Sequence, residues 1–336
     1  MTRQVEALIA GADLSGPNTR RVKRALAALF GGAVGKDVVS RAWRKVKTDW
    51  DAWNKRDLAG EDIVQLILDG TVVRVRLDRK ATNISLLVVL GVRRDGQKVR
   101  LTVKNMGGSA SRFQRRSRWN SAGGGESEAA WRSVLDDLIA RGLCTPEFLI
   151  TDGGAGLDRA LAALCPPQPF HTLSRVEPWA APPNLPAQRC TVHKHRKLLA
   201  HAPDALHEEV TADYTDMIYA ETTNAVQARR KAFLRKWPLR CPTVATSLEE
   251  AGDRLFAFLR LPPSQWKSAR TTNAIERLHE EFKRRIKTQT VLPSAETAAM
   301  LFWALLASGQ ITMRKVNGWQ TLGESFAAAV PVDLAA

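Results

Sequence analysis

Apolar residues recur at helical spacing in the N-terminal part of the chain. The first predicted helix begins after Pro17, with Asn18 as its cap, and its apolar stripe ends at Gly31 and Gly32. A second predicted helix covers residues 36–46 and leaves four basic side chains facing outward, Arg41, Arg44, Lys45 and Lys47. Two helices joined by a glycine turn, the second of them basic, match the pattern of a helix-turn-helix motif. The alternative is a pair of packed helices with a solvated basic face.

Longer apolar runs predict a sheet in the middle of the chain. The predicted elements are three strands at 63–76, 84–92 and 99–103, a helix at 126–139, a short buried strand at 147–151, and a helix that ends at Leu164. Asp95 and Gly96 form a tight-turn signal between the second and third strands, so these strands are expected to be antiparallel. Three strands, a helix, a strand and a helix is the element order of a ribonuclease H-like core, a mixed α/β fold.

Two stretches interrupt this pattern and are predicted to be loops. Residues 107–125 are rich in glycine and serine and carry several arginines, whereas residues 166–186 are rich in proline. From Lys194 to Leu259 the composition is helical with few strand signals, which predicts a helical segment inserted within the core. The last long helix is predicted from about Thr272 to Lys287.

Charge adds a class of partner to this picture. The 336 residues include 50 lysines and arginines against 34 acidic residues, a net charge of +16, and the isoelectric point is near 10.2. Because each cation that neutralises a phosphate releases condensed counterions, nucleic acid is the leading partner and an anionic membrane surface is second. No apolar run reaches about 18 residues, and no signal-peptide pattern begins the chain. Membrane insertion and secretion are therefore not expected.

Cysteine usage favours an intracellular location. Four cysteines occur, widely spaced and without a Cys-x-x-Cys pair. This usage is typical of a reducing compartment and predicts no disulfide framework. We therefore expect a cytoplasmic protein.

Two of the predicted strands carry a carboxylate directly after an apolar run. Asp69 follows a Leu-Ile-Leu run, and Asp152 follows a Phe-Leu-Ile-Thr run. A buried carboxylate is costly unless a cation meets it. Clustered hard oxygen ligands suit Mg²⁺, which can activate a water or a hydroxyl for attack on a phosphodiester. Because a glycine follows each aspartate, the alternative is that each residue simply begins a turn.

A third carboxylate is predicted on the last long helix. The apolar stripe of this helix consists of Ile275, Leu278, Phe282 and Ile286. Glu276 and Glu281 lie on opposite flanks of that stripe, each about 110° from its centre at 100° per residue. Either could face a cleft beside the sheet, and the spacing alone does not choose between them. Glu280 falls nearly opposite the stripe, where it is expected to be solvated or paired with Lys283 or Arg284.

Four motifs follow one another in order along the chain. They are Leu68-Asp69-Gly70-Thr71-Val72-Val73-Arg74-Val75-Arg76, Ile150-Thr151-Asp152-Gly153-Gly154-Ala155-Gly156-Leu157, Arg189-Cys190-Thr191-Val192-His193, and Thr272-Asn273-Ala274-Ile275-Glu276-Arg277-Leu278 with Lys283-Arg284-Arg285. Together they closely resemble Mutator-type transposases of bacterial insertion sequences, over about residues 17–320. Each motif alone is a weak signal, whereas four motifs in this order are a strong one.

The resemblance implies a chemistry for the carboxylates. Transposases of this type have a ribonuclease H-like catalytic domain with a DDE carboxylate triad, a helical insertion before the glutamate, and an N-terminal DNA-binding region. By this resemblance Asp69 and Asp152 are the two metal-binding aspartates, and Glu276 is the third catalytic and metal-binding carboxylate. The implied metal is Mg²⁺, for which Mn²⁺ can substitute. The implied partner is double-stranded DNA, both at terminal inverted repeats and at the target.

Other residues of the motifs are candidates for handling DNA. Cys190 and His193 match the Cys-x-x-His motif of the family, which lies near the active site, and a structural role is the alternative for both. Two such ligands cannot close a tetrahedral zinc site, so zinc is not expected. The residues predicted to contact DNA are Arg41, Arg44, Lys45, Asn273, Arg277, Lys283, Arg284 and Arg285. For the basic ridge at 283–287 the alternative is an ordinary solvated helix face.

Tryptophans offer a second mode of DNA contact. Trp237, Trp266 and Trp303 could stack on unpaired bases at a cleaved end. Tryptophans at such positions more often lie in the core, and burial is the interpretation that we favour.

The resemblance also suggests how the chain is divided. The predicted parts are an N-terminal helical DNA-binding region (1–58), the first part of the catalytic core (59–165, with the loop 107–125), a proline-rich loop (166–187), the last core strand with the helical insertion (188–265), the C-terminal part of the core (266–320) and a tail (321–336). The first strand arrives earlier than is usual in the family, so the N-terminal region is expected to be truncated. The two loops are expected to be extra sequence relative to the family.

The sequence therefore predicts a DDE transposase. This enzyme would cleave DNA strands at insertion-sequence ends and transfer them into target DNA, in the bacterial cytoplasm at the nucleoid and with no membrane partner. A homo-oligomer is expected on DNA because two ends must be brought together. One alternative is a catalytically inactive relative that binds the ends and regulates transposition. The other is a ribonuclease H-like nuclease that performs no strand transfer.

Overall fold

The computed structural model describes residues 36–77, 80–105, 127–164, 185–286, 295–309 and 311–324. The first predicted helix, the predicted loop at 107–125 and nearly all of the proline-rich stretch lie outside these residues. So do Lys287 and the greater part of the tail.

Five strands form one mixed sheet in the order β3-β2-β1-β4-β5. Their bounds are β1 Ile63–Leu77, β2 Lys80–Arg93, β3 Lys98–Asn105, β4 Phe148–Thr151 and β5 Ala187–Arg189. β2 pairs antiparallel with both β1 and β3, whereas β4 runs parallel to β1 and β5 runs parallel to β4. The three strands predicted from apolar runs and the short buried strand are thereby confirmed. A parallel neighbour requires a crossover, which is why helices separate β3, β4 and β5 along the chain.

Helices make up most of the remaining described chain. Their bounds are α1 Lys36–Lys55, α2 Glu128–Ala140, α3 Ala155–Leu164, α4 Thr191–Ala200, α5 His207–Ile218, α6 Thr223–Arg240, α7 Pro242–Ala251, α8 Trp266–Ala269, α9 Asn273–Ile286 and α10 Ala295–Ala307, with short 3₁₀ turns at Asp204–Leu206, Gly252–Arg260, Pro263–Gln265 and Trp319–Thr321. The helical segment predicted between Lys194 and Leu259 is confirmed. No helix in the described ranges is both long enough and apolar enough to cross a bilayer.

The two faces of the sheet bury different side chains because successive residues of a strand point in opposite directions. Leu66 and Leu68 of β1 pack with α2 and α3 in one cluster. Ile67 belongs to a larger cluster that includes side chains of the helices from α4 onward. Asp69 has the same parity as Ile67, so its side chain lies on the face covered by the helical segment and α9.

The turn alternative for Asp69 is wrong. β1 does not end at this residue: Asp69 pairs with Val88 of β2, and the ladder continues through Gly70 and on to Leu77. A long antiparallel partner keeps the Asp-Gly step extended, which outweighs its turn preference. Asp152, in contrast, directly follows the last residue of β4, as predicted.

The second predicted helix extends further than its predicted end at Val46. Helix α1 continues to Lys55 because Trp50 and Trp53 prolong the stripe that begins at Val46. Trp50 is 5% exposed, and its ring lies 5.2 Å from that of Trp53 and 5.7 Å from that of Trp303 on α10. The C-terminal half of this helix therefore packs against the core.

Helix α9 is not the last long helix, because α10 follows it. The residues of α10 are nearly all apolar, and residues 297–306 are all buried. A helix buried on all sides shows no polar face, so the periodicity of its sequence gives little signal.

The tryptophans predicted for the core are buried. Trp237 is fully buried and donates its indole N–H to Asp213 Oδ2 at 3.0 Å. Trp266 donates to the carbonyl of Leu261 at 2.9 Å, and Trp303 is 8% exposed. These side chains are not available for stacking on bases.

Candidate active site

The sheet register brings two aspartates side by side. Leu68 of β1 pairs with Thr151 of β4 in parallel, so Asp69, the next residue of β1, lies beside Asp152, the first residue after β4. Asp69 is only 2% exposed. Parallel neighbouring strands present the same position at the same level, which is why residues that are far apart in sequence meet here.

The loop after Asp152 is shaped by glycine. The backbone N–H of Gly154 donates to Asp152 Oδ1 at 2.8 Å, and α3 begins at Ala155. Gly153 has φ +79°, and a Cβ at this position would collide with the side chain of Arg189. The second motif is thus a tight connection from β4 into α3 that also orients the carboxylate of Asp152.

The first turn of α9 supplies the third carboxylate. The backbone N–H groups of Ile275 and Glu276 both donate to the carbonyl of Thr272, at 2.8 and 3.2 Å. This turn directs Glu276 toward α4, where its Oε1 lies 2.9 Å from Arg196 Nη1 and 3.5 Å from His193 Nε2. The hydroxyl of Thr272 lowers the pKa of Asp69, and α9 packs against β1.

Glu281, the other candidate left open by the sequence, has a different environment. It forms an ion pair with Arg284 on the same helix, whereas Glu280 is exposed, in agreement with the solvated position expected for it. Glu276 is the glutamate whose charge acts on Asp69. The geometry thus distinguishes two residues that helical spacing could not.

The Cys-x-x-His motif lies between β4 and α9. Cys190 is fully buried, precedes α4, and donates its backbone N–H to the carbonyl of Thr151 at 2.7 Å. Its Sγ accepts the backbone N–H of Thr272 at 3.4 Å, and Nδ1 of His193 lies 3.5 Å from the Thr272 hydroxyl. The motif therefore occupies a helix start rather than a strand, and it joins the ends of the elements that carry the carboxylates.

Burial and charge shift the acid–base properties of the cluster. Burial raises the pKa of Asp69 to about 7, against the opposing charge of His193 and with a further increase from Asp152 and Glu276. Burial also raises the pKa of Asp152, although the N–H of Gly154 lowers it in part. The pKa of His193 is raised to about 9, first of all by a hydrogen bond with Cys190. The charges of Asp69 and Glu276 raise this pKa further, and burial lowers it in part.

The donor set has the chemistry of a site for a hard divalent cation. Three carboxylates converge, and Asp69 is buried with no described lysine or arginine as an ion-pair partner. A buried carboxylate without a cation is costly, and oxygen ligands are those that Mg²⁺ and Mn²⁺ accept. In the described part of the chain, no three His, Cys, Asp or Glu side chains already stand at the spacing of a metal site. The three carboxylates are thus the kind of ligand that Mg²⁺ accepts. One of them, Glu276, forms an ion pair with Arg196.

The residues predicted to contact DNA are largely at the surface. Side chains of Arg41, Arg44, Lys45, Asn273, Arg277, Lys283 and Arg284 are exposed, whereas the side chain of Arg285 lies outside the described set. Some of these cations have carboxylate neighbours: Lys45 pairs with Asp49 at 2.9 Å. Arg277 is close enough to the half-buried Lys98 to lower its pKa, after the larger effect of burial.

Sequence reasoning missed a network behind Asp152. Arg189 Nη1 lies 3.0 Å from Glu250 Oε1, and its Nη2 donates to the carbonyl of Gly153 at 3.3 Å. Glu250 also binds the fully buried Lys194 at 3.0 Å and Lys197 at 3.2 Å. Burial alone would raise the pKa of Glu250, but its three cationic partners hold it at about 2. The spacing of residues along the sequence does not predict a contact between α7 and α4. Only Arg189, which precedes the Cys-x-x-His motif, belonged to a motif recognised in the sequence.

Comparison with known proteins matches nearly the whole chain to one family. A model of the family described as "Transposase, Mutator family" matches residues 1–313. The transposase for insertion sequence element ISRM5 of Rhizobium meliloti is 27% identical over 303 residues, which cover 90% of this chain and 67% of that protein. The transposase for IS6120 of Mycolicibacterium smegmatis is 26% identical over 287 residues, covering 85% and 78%. The transposase for IS1081 of Mycobacterium tuberculosis is 25% identical over 329 residues, covering 97% and 71%.

Proposed function

Because the chain belongs to the Mutator family of transposases and its function is accordingly DNA transposition, we propose that Asp69, Asp152 and Glu276 form its catalytic site. The observation that carries this proposal is the convergence of these carboxylates. Asp69 and Asp152 lie side by side on the adjacent parallel strands β1 and β4 or directly after them, and Glu276 belongs to a helix that packs against β1. Acidic groups gathered in a protein with a net charge of +16 need a purpose other than solubility.

We propose that the fold is ribonuclease H-like. The support is the sheet order β3-β2-β1-β4-β5, in which three antiparallel strands precede two parallel ones. Helices cover both faces, and α4–α8 separate the last strand from the helix that carries Glu276. This arrangement agrees with the element order expected from the sequence, with the helical segment as the insertion.

The proposed cofactor is Mg²⁺, with Mn²⁺ as a substitute. When bound, the ion activates a water or a 3′-hydroxyl for in-line attack on a phosphodiester and stabilises the leaving oxygen. Asp69 and Asp152 would hold it from the sheet, and Glu276 would close the ligand set from α9. The hydroxyl of Thr272 orients Asp69, and cationic His193 balances the carboxylates before DNA and metal bind.

The protein side chains explain why one site can serve two steps. In the first step water attacks the phosphodiester at the element end, and in the second the freed 3′-hydroxyl attacks target DNA. Both reactions need the same alignment of an attacking oxygen and a phosphorus atom, which a rigid pair of strand-borne carboxylates provides. We propose terminal inverted repeats and target DNA as the substrates, and a homo-oligomer as the form that holds two ends.

Exposed basic side chains beside the site are the proposed contacts to the DNA backbone. Asn273 and Arg277 flank Glu276 on α9, and Lys283 and Arg284 continue the same helix. Lysine and arginine bind phosphate without regard to base sequence, so this surface would position DNA rather than select the repeat. We also propose that three residues of α1, which precedes the sheet in the sequence, contact the DNA backbone: Arg41, Arg44 and Lys45.

A variant panel tests the proposed site. The native chain is expected to cut labelled duplex DNA carrying the terminal repeats that flank the gene, in the presence of Mg²⁺. Asp69→Asn, Asp152→Asn and Glu276→Gln should each reduce cutting and strand transfer by at least about a hundredfold, because each removes a charged ligand. Glu281→Gln is the matched control on the same helix and should retain cutting near the native level.

Three outcomes would contradict the proposal. If Glu281→Gln abolishes cutting and Glu276→Gln does not, the third carboxylate is wrongly assigned. If the native chain shifts terminal-repeat DNA but never nicks it with Mg²⁺ or Mn²⁺, the chain is the inactive, regulatory relative. Cutting that depends on DNA structure and not on the repeat would instead indicate a nuclease without strand transfer.

A further inference from the structure

The carboxylate of Glu276 already has a strong partner. Arg196, on α4, places Nη1 at 2.9 Å from Glu276 Oε1, and His193 Nε2 lies 3.5 Å from the same oxygen. A carboxylate oxygen held by a guanidinium cannot bind a divalent cation without bringing two positive charges together. Arg196 and a metal ion would therefore compete for Glu276.

The ligand geometry agrees with this competition. Among the residues that the structure covers, no three acidic, histidine or cysteine side chains stand at metal-binding spacing, although Asp152 and Glu276 are close enough to Asp69 to raise its pKa. The aspartates are fixed by the sheet register and by the N–H of Gly154. The movable member of the set is therefore the glutamate that Arg196 holds.

The arginine is the more exposed partner of this pair. The side chain of Arg196 is 62% exposed, against 24% for Glu276. A long arginine at the rim of the site can turn outward at little cost, and its planar guanidinium matches a phosphate group as well as a carboxylate. DNA lying across the carboxylates would bring phosphate oxygens to this rim.

We propose that Arg196 is a positioning residue that holds Glu276 away from the metal until a DNA phosphate takes its guanidinium. Metal binding and DNA binding then favour each other, because each is strengthened when Arg196 leaves Glu276. The proposal rests on the proposed function, in which Glu276 is a metal ligand. Its consequence is a site that binds metal weakly in the absence of DNA.

Calorimetric titration of the full chain with Mn²⁺, without DNA, tests the first half of the proposal. Arg196→Ala should bind Mn²⁺ about three- to tenfold more tightly than the native chain, the range that loss of a partly exposed ion pair allows. Arg196→Lys keeps the charge and should stay close to native. Lys197→Ala is the matched control, because it removes a charge from the same helix but contacts Glu250, and it should change the affinity less than twofold.

Two results overturn this half. One is native or weaker Mn²⁺ affinity in Arg196→Ala, and the other is an equal gain in Lys197→Ala, which would indicate a general charge effect. Asp69→Asn separates this failure from that of the proposed function. If Asp69→Asn binds Mn²⁺ as the native chain does, the metal site itself is wrong. If it loses binding while Arg196→Ala is unchanged, only the role of Arg196 is wrong.

DNA affinity without metal tests the second half. In EDTA, the anisotropy of a labelled duplex carrying the flanking terminal repeat should show about three- to tenfold weaker binding by Arg196→Ala, since one phosphate contact is lost. Lys197→Ala should bind close to native. Equal affinity of Arg196→Ala and the native chain would overturn the transfer of the guanidinium to phosphate.

Discussion

The charged carboxylate of Asp69 is needed for the proposed metal site, but its burial lowers the stability of the metal-free protein. It is a buried carboxylate in the middle of a strand, with a threonine hydroxyl and a histidine nearby. Its pKa of about 7 in the folded chain lies well above its ordinary value of 3.8. Protonated Asp69 therefore favours folding at low pH, and this contribution is lost as the pH rises from about 4 through about 7.

Replacement of Asp69 by asparagine should stabilise the metal-free protein at pH 8. Asparagine has the same shape without a charge to bury, so we expect the free energy of unfolding to rise by about 1–3 kcal/mol. The gain should shrink toward zero as the pH falls below about 4, where the aspartate becomes protonated in both the folded and the unfolded state. Thermal unfolding of both proteins at pH 5 and pH 8, in EDTA, measures the difference.

Mg²⁺ provides the contrast for this measurement. It should raise the unfolding temperature of the native chain and leave that of Asp69→Asn unchanged, because a ligand stabilises only the state that binds it. Asp136→Asn, at an exposed position of α2, is the control and should behave as the native chain does. A metal-free Asp69→Asn that is less stable than the native chain at pH 8 would contradict this account.

At the same scale, the sequence indicated some of the site residues and not others. Asp69 and Asp152 were recognisable because a carboxylate after a buried apolar run has few structural reasons to be there. Glu276 and Glu281 stayed equivalent, since helical periodicity does not say which flank faces the sheet. Arg196 is one cation in a basic stretch, and only its contact with Glu276 in the folded chain distinguishes it.

At the scale of the elements, ion pairs of Glu250 join helix α7 of the helical segment to β5 and α4. This residue joins Arg189, the last residue of β5, with Lys194 and Lys197 on α4, and Arg189 in turn donates to the carbonyl of Gly153 beside Asp152. The fully buried Lys194 depends on Glu250 and on the hydroxyl of Ser247 for its hydrogen bonds. The insertion thus supports the loop that carries a proposed metal ligand.

Glu250→Ala should destabilise the protein by about 1–3 kcal/mol. It would leave a buried lysine without its counter-ion, and the figure is discounted because Glu250 is half exposed. Glu249→Ala, at an exposed neighbouring position on the same helix, is the matched control. Thermal unfolding at pH 7 measures both variants, and equal unfolding temperatures for Glu250→Ala and the native chain would contradict the prediction.

The pH dependence of the Glu250 contribution has the opposite sign to that of Asp69. Its folded pKa of about 2 lies below the ordinary 4.5, so its stabilising effect is present above about pH 4.5 and is lost as the pH falls toward 2. The difference between Glu250→Ala and the native chain should therefore narrow in acid.

Elements whose periodicity matches their burial were predictable. The alternating strands and α9 with its apolar stripe lie within a few residues of their predicted bounds. α10 was not predicted because its residues are apolar on every side, and α1 was predicted too short because its stripe continues through tryptophans. The extended Asp69-Gly70 step shows long-range pairing with β2 overriding a local turn preference.

For the molecule as a whole, the net charge of +16 should govern the strength of DNA binding more than its specificity. We expect the logarithm of the association constant to fall with the logarithm of NaCl concentration, with a slope of about −4 or steeper. Arg277→Ala should reduce the magnitude of this slope by about one, because it removes one phosphate contact. Anisotropy titrations between 50 and 300 mM NaCl measure both values, and affinity that does not change with salt would contradict the proposed interface.

The whole fold matters for the site because its carboxylates come from three separate parts of the sequence. β1 and the end of β4 meet because the two strands pair in the sheet. The start of α9 reaches them because the helical segment leads the chain back to the sheet. Cys190 and Thr272 join these parts at their contact. This convergence is the central claim about function, and a metal position tests it directly.

The most direct measurement is the position of Mn²⁺ in crystals of the full chain bound to terminal-repeat DNA, located by anomalous scattering. We predict a peak bounded by the carboxylates of Asp69 and Asp152, with Glu276 as the third ligand and Arg196 turned away from it. A peak that excludes these aspartates, or one coordinated by Glu281 instead of Glu276, would contradict the proposed active site.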